Sequence, residues 1–309
     1  MELSIIHQFL YFLGIYFFIK IIISLTKLFY KHFILKEVDF KKIYGDGWCI
    51  ITGGSTGIGF SYAKQFLKRK FKILLISSNI ERLEKAKDDL LKLYPDSKIE
   101  ILDYNLSRAY NQEIVDDLKS KMNEKIKNED ISILINNAGG GNSKYLSRHT
   151  VEEINNCINL NIYSVIFMTK ICMENMLKKS NYKSLIVQSG SQMASIRLQK
   201  YSIYASTKNF IDSFNSVISI ENRNQIDCTY IEIGPVDTKL NNSSMPFKIS
   251  PDKHAEYAMK FMGNYVFSGP VCLYHELEMF LVFLPCIRRK LLKQGETVFG
   301  KQKINKKIE

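Results

Sequence analysis

The sequence predicts an α/β fold: a doubly wound parallel sheet with helices on both faces. Two observations carry this. Short apolar runs alternate with helical patterns along most of the chain, the pattern of repeated β-α-β units with right-handed crossovers. One of those runs, Trp48-Cys49-Ile50-Ile51, ends in a glycine-rich turn that opens a helical pattern, which is the order of a phosphate-binding unit. Strands are expected near 48–52, 72–77, 98–103, 131–135, 184–189, 227–233 and 271–274. Helices are expected near 58–69, 80–93, 107–127, 151–179 with an interruption, and 204–222.

The first unit is the most specific. Trp48 to Ile51 is rich in β-branched residues and long enough for a buried strand. Thr52-Gly53-Gly54-Ser55-Thr56-Gly57-Ile58-Gly59 follows, then Ile58, Tyr62, Ala63, Phe66 and Leu67 fall on one helical face. Backbone N–H groups and the positive end of the helix would face phosphates. Glycine is needed where the backbone closes on a pyrophosphate or takes positive φ. The spacing is G-x-x-x-G-x-G rather than G-x-G-x-x-G.

A second constellation lies downstream. Tyr204 and Lys208 are four apart, so they share one helix face. Ser191 stands 13 positions before Tyr204, just after the apolar run that begins Ser184-Leu185-Ile186-Val187. A phenol that gives up a proton near neutral pH needs a nearby cation, since free Tyr titrates near ~10. A hydroxyl can hold a carbonyl oxygen while charge develops on it. Asn161, Ser191, Tyr204 and Lys208 together form a layout for reducing a carbonyl. Tyr16 and Lys20 repeat the Tyr-x-x-x-Lys spacing, but within an apolar N-terminal segment, without the Ser or the glycine loop.

On these motifs the chain resembles the short-chain dehydrogenase/reductase family over roughly residues 45–275, a Rossmann fold. The resemblance also rests on Asn136-Asn137-Ala138-Gly139 after the fourth strand, on Asp103 at the end of the third, and on Gly234, Val236 and Thr238 after the sixth. It departs from the family at Ile233-Gly234, where Pro-Gly is usual. The resemblance implies that Tyr204 is the general acid of a reduction and that Lys208 lowers its pKa and holds the nicotinamide ribose. It further implies that Ser191 polarises the carbonyl and that Asn161 holds a proton-relay water, with Asn159 the competing candidate. It places Gly53, Ser55, Thr56, Gly57, Ile58, Gly59, Asn137, Ala138, Gly139, Val236 and Thr238 against the cofactor. Asp103 would meet the adenine and Asn137 the adenosine ribose. No metal site is expected.

The cofactor choice turns on the end of the second strand. NAD enzymes commonly carry an acid there for the ribose 2′-OH. This chain reads Ser77-Ser78-Asn79, with Arg82 one turn on. Hydroxyls at Ser77 and Ser78 suit a 2′-phosphate, so NADP is favoured over NAD.

The two ends hold most of the charge. The formal net charge is +12. Residues 20–42 carry six Lys against Glu37 and Asp39, and residues 288–309 carry eight basic residues against Glu296 and Glu309. Residues 4–26 are nearly all apolar, about the length that crosses a bilayer. Basic clusters beside such a segment suit anionic headgroups, and the Lys bias after it places the rest on the cytosolic side. No nucleic-acid recognition motif is visible. Lys306-Lys307-Ile308-Glu309 resembles a dilysine endoplasmic-reticulum signal. Six unpaired Cys read as reduced thiols. Met279 to Ile287 is too short to span and holds Pro285; it reads as an interfacial or pocket-lining stretch, or as plain packing.

The organisation expected is therefore a membrane anchor and basic linker over 1–44, a catalytic domain over 45–275 and a membrane-proximal extension over 276–309. With Lys41-Lys42-Ile43-Tyr44-Gly45, Leu75-Ile76-Ser77 and Glu81-Arg82-Leu83, the chain is similar to the 17β-hydroxysteroid dehydrogenase / very-long-chain 3-oxoacyl-CoA reductase branch. That resemblance implies NADPH-dependent reduction of a lipid-like ketone, an acyl-CoA first and a keto-steroid second, at the endoplasmic reticulum membrane. A homo-oligomer is implied as well. A catalytically silent membrane adaptor is the reading of a different class, and the intact tetrad opposes it.

Overall fold

The computed structural model describes residues 2–108, 110–179, 181–196, 198–238, 248–264 and 269–282. In chain order the elements begin with α1 (Glu2–Phe29), α2 (Phe40–Tyr44), β1 (Trp48–Thr52), α3 (Gly57–Lys68) and β2 (Lys72–Ser77). Next come α4 (Ile80–Leu93), β3 (Ile99–Asp103), α5 (Gln112–Ile126), β4 (Ile131–Asn136), α6 (Val151–Ile158) and α7 (Ser164–Met176). The remainder are β5 (Ser184–Ser189), α8 (Met193–Ile196), α9 (Ser202–Glu221), β6 (Ile226–Glu232), α10 (Pro251–Met259), β7 (Gly269–Pro270) and α11 (Leu273–Val282).

The strands form one parallel sheet in the order β3-β2-β1-β4-β5-β6-β7. The order reverses between β1 and β4, so the ends of these two strands open the crevice where ligands bind in such sheets. Every residue of β1, β4 and β5 is buried, because helices cover both faces. Alternate side chains serve opposite faces. Trp48 and Ile50 of β1 join Leu118 and Met122 of α5 and Met168 and Cys172 of α7 in one core cluster.

Side chains fix the helix starts. Asn79 accepts the Arg82 N–H at 2.8 Å, Asn111 accepts the Ile114 N–H at 2.9 Å, and Thr150 forms a capping box with Glu153. The Asn111 cap is why α5 begins at Gln112 and not near 107, as the pattern suggested. The long helix expected over 151–179 is interrupted by a π-helical turn at Asn159–Tyr163. The strand expected at 271–274 lies just before that range, as β7. Pairing with β6 stops at Pro270, which has no N–H to give, and α11 starts at Leu273.

The chain divides into two units, Met1–Glu37 and Val38–Glu309. In the first, the helical stretch Ile5–Ile34 holds an 18-residue segment of mean hydropathy 2.0, none of it buried, long and apolar enough to cross a membrane. The Tyr16–Lys20 pair is a ring–ammonium contact at 4.8 Å. In the second, α2 is bound into the catalytic unit: Phe40 and Tyr44 are buried, and Tyr44 donates to Asp227 at 2.9 Å, which Lys183 also contacts at 2.9 Å. The loop 239–247 and residues 283–309, with Pro285, Cys286 and the terminal lysines, lie outside the described residues. Cys49, Cys157, Cys172, Cys228 and Cys272 are free thiols.

Candidate active site

The glycine loop joins β1 to α3 at the switch point. Gly53 and Gly57 take φ of 64° and 59°, backbone that L side chains rarely adopt. Gly59 is held by close approach: a Cβ there would stand 2.7 Å from Asn137 Nδ2 and closer still to the Gly53 carbonyl oxygen. Thr56 caps α3 without a side-chain hydrogen bond to its amides, so the first N–H groups of the helix remain open to an anion. These are the features of a phosphate cradle, and a dinucleotide fits the residues present.

Asn137 and Ala138 hold that cradle in shape. The N–H groups of both donate to Thr52 Oγ1 at 3.0 Å, and the Asn137 carboxamide donates to Thr52 O at 3.1 Å and Gly53 O at 3.3 Å. Asn137, expected against the cofactor ribose, thus spends its donors on the loop itself. Ser55 and Ser77 hydroxyls meet at 3.1 Å, tying the loop to the end of β2. Ser78 is exposed beside them, and Asp103 is exposed at the end of β3, paired in register with Ser77. Val236 bridges to Ile249. A Cβ on Gly57 would meet the Thr238 methyl at 3.4 Å, so Thr238 lies over the turn. Ile58 belongs to the cluster around Val236 and Cys272.

The tetrad is assembled beside this loop. Ser191 follows β5, is 7 % exposed and accepts the Met193 N–H at 3.2 Å. Tyr204 and Lys208 rise from one face of α9. Burial holds the Tyr204 phenol above its ordinary value, and neighbouring Ser191 pulls it only partly back down. Lys208 is buried, donates to the Ser189 carbonyl at 2.8 Å and sits 5.8 Å from the Tyr204 ring centre. Burial lowers its pKa to about 8. The family resemblance implies that Lys208 depresses the phenol. Here the ammonium is turned to Ser189, and desolvation acts on both groups against their charged forms.

Asn161 sits in the π-helical turn and is fully buried. Its Oδ1 accepts the Gly140 N–H at 3.1 Å, and its Nδ2 donates to Gly140 O at 2.7 Å and Cys157 O at 2.8 Å. A π turn adds a residue to the helix and re-aims the side chains around it. That separates the two candidates: Asn159 donates to Ser107 O at 3.2 Å, away from the tetrad. Gly139 runs between Asn161 and Lys208, since a Cβ there would be 2.8 Å from Asn161 Oδ1 and 3.0 Å from Lys208 Nζ.

Three participants were missed in the sequence. Gly140 is the partner of Asn161, and Gly141 lies against Tyr204, where a Cβ would be 2.9 Å from the Tyr204 Cβ. Cys157 Sγ is 3.3 Å from Asn161 Nδ2. Its signal was available: Cys157 and Asn161 are four apart on a helical stretch.

The fold and site define an oxidoreductase of the nucleotide-dependent kind. The short chain dehydrogenase family model matches residues 47–248, more than half of the chain, and the protein belongs to that family. A very-long-chain 3-oxoacyl-CoA reductase of Macaca fascicularis is 29 % identical over 70 % of this chain and 68 % of its own. A 17-beta-hydroxysteroid dehydrogenase type 3 of Mus musculus is 29 % identical over 74 % and 73 %. A short-chain dehydrogenase of Sphingobium yanoikuyae, solved with NADPH, has the same fold, with a TM-score of 0.65 at 20 % identity over 85 % of this chain and 98 % of that one.

Proposed function

We propose that the protein is an NADPH-dependent reductase of a ketone on a hydrophobic substrate, a long-chain 3-oxoacyl-CoA. The observation that carries this is the convergence of Ser191, Tyr204 and buried Lys208, with Gly139 running against Lys208 and Gly141 against Tyr204. The bound dinucleotide supplies the hydride. Tyr204 gives its proton to the substrate oxygen. Its raised pKa keeps it protonated at neutral pH, the form a reduction needs. Ser191 donates to the same oxygen and stabilises the charge that develops there. Lys208 holds a positive charge below about pH 8 beneath them, and Asn161 fixes the loop 139–141 that borders Lys208 and Tyr204. Ser77 and Ser78 are placed for a 2′-phosphate, and the NADPH-bound neighbour supports that choice.

The membrane setting belongs to the same proposal. The exposed apolar helix over Ile5–Ile34 anchors the protein, and the basic linker and tail keep the catalytic unit on the cytosolic face of the endoplasmic reticulum. A second reading, reduction of a 17-keto steroid, is favoured by the equal identity of the steroid dehydrogenase relative. The test is NADPH oxidation by detergent-solubilised protein offered a long-chain 3-oxoacyl-CoA and a 17-keto steroid side by side. Turnover of the acyl-CoA supports the first reading. Turnover of the steroid alone replaces it with the second.

A further inference from the structure

A cationic lip borders Tyr204 of the tetrad. Two segments form it, 139–150 and 198–201, and between them they contain Lys144, Arg148 and Lys200 and no Asp or Glu. The Lys144 N–H donates to the Lys200 carbonyl at 3.0 Å, joining the two segments. Both border Tyr204: Gly141 lies against its Cβ, and the Tyr201 ring meets its ring edge-on at 6.5 Å. Tyr145 is four positions on from Gly141, a reach of at most ~14 Å.

The centre of the lip is Tyr145, 40 % exposed. Lys200 Nζ lies 5.4 Å from its ring centre and Arg148 Cζ 5.9 Å. Lys144 is neutralised by Glu153, which also faces His149 at 3.5 Å. Arg148 and Lys200 have no carboxylate partner among the described residues. Lys200 also holds a left-handed backbone, with φ of 70°. That conformation is uncommon for a residue of its kind and concentrates at functional positions. Two unneutralised cations on one exposed aromatic ring are a site for a phosphate carried by a stackable base.

We infer that Arg148, Tyr145 and Lys200 bind the phosphorylated adenosine end of a coenzyme A thioester while its 3-oxo group lies at Tyr204. This rests on the acyl-CoA reading of the function and deepens it. A keto-steroid has no anion for the lip to hold. The dinucleotide phosphates belong to the cradle at the N-terminus of α3.

The test uses the full chain in detergent, saturated with NADPH to fill the cradle. The double variant Arg148→Gln/Lys200→Asn removes both charges, and Asn tolerates the left-handed backbone at 200. Two readouts are compared. With a 3-oxoacyl-CoA, KM rises about tenfold or more, the size of one lost charge-assisted contact. With the same acyl group on N-acetylcysteamine, which has no phosphates, kcat/KM stays unchanged. Independently, free coenzyme A binds the wild type and binds the variant about tenfold more weakly. Equal effects on both thioesters, or none on either, overturn the lip while leaving the reductase reading intact. Absence of coenzyme A binding to the wild type overturns the lip whatever the turnover. Binding of coenzyme A at the lip without turnover of any 3-oxoacyl thioester overturns the proposed reaction instead.

Discussion

Replacing Gly59 by Ala tests the cradle at its tightest point. The added methyl would stand 2.7 Å from Asn137 Nδ2, 2.9 Å from the Gly53 carbonyl carbon and closer to that carbonyl's oxygen. Two of these three are backbone, and Asn137 is bound to Thr52 O and Gly53 O, so no flexible side chain can absorb the clash. An ordinary contact distance requires the helix start and the turn to part by about 1 Å. Overpacking of this kind costs about 1–3 kcal/mol. In a unit of this size each kcal/mol lowers the melting temperature by roughly 2–4 °C. Misplacing the phosphate-facing amides by about 1 Å weakens what they hold by up to about a hundredfold. The assay is NADPH titration followed by quenching of Trp48, the single Trp, with a thermal melt in parallel. A Gly59→Ala protein with unchanged NADPH affinity and unchanged melting would refute the assignment of this turn as the cradle.

Three further outcomes follow from particular groups. Lys208 has its pKa lowered to about 8 by burial, so its charge is lost as pH rises through that value; kcat/KM should fall on the alkaline side, and Lys208→Arg should move that limb to higher pH. His254 is fully buried against the Tyr62 hydroxyl at 3.2 Å, with its pKa lowered to about 3 by desolvation and then by His275. Its folded value lies below the unfolded ~6.5, so the unfolded chain takes up the proton first, and stability is full above pH 6.5 and lost as pH falls below it. The loss is about 1.4 kcal/mol per pH unit, read as a urea midpoint that drops between pH 6.5 and 5.5 and drops less in His254→Asn. Asn161→Ala strips partners from Gly140 N–H, Gly140 O and Cys157 O; it should cost about 1–3 kcal/mol and lower kcat more than NADPH affinity, checked by melting and steady-state kinetics.

Much of the catalytic unit was legible because it is built from local patterns. The glycine loop, six of the seven strands and the Tyr204–Lys208 face each follow from short-range spacing, and the structure brings them together at the β1/β4 switch point. The seventh strand is present but lies at Gly269–Pro270 and not at 271–274: Val271 to Tyr274 reads as β-prone, while Pro270 ends the pairing before it. The start of α5 failed because hydrophobic periodicity ran on upstream of the Asn111 cap. Gly140 and Gly141 were invisible as site residues because their roles are set across long sequence separations, by Asn161 and Tyr204. The direction of the Tyr204 pKa was misjudged for a similar reason. Spacing puts Lys208 next to the phenol, but only the fold shows the Ser189 carbonyl that claims its ammonium.

The most direct test of the central claim is Tyr204→Phe, with turnover and NADPH affinity measured on the same protein. The change removes only the hydroxyl at the end of a ring seated against Gly141 and Tyr201. General acids contribute about 10²–10⁴ in rate, so the account predicts ketone reduction reduced by that factor with NADPH binding unchanged. A Tyr204→Phe protein that still reduces its ketone at the wild-type rate would contradict the account, because Tyr204 is the proton donor it requires.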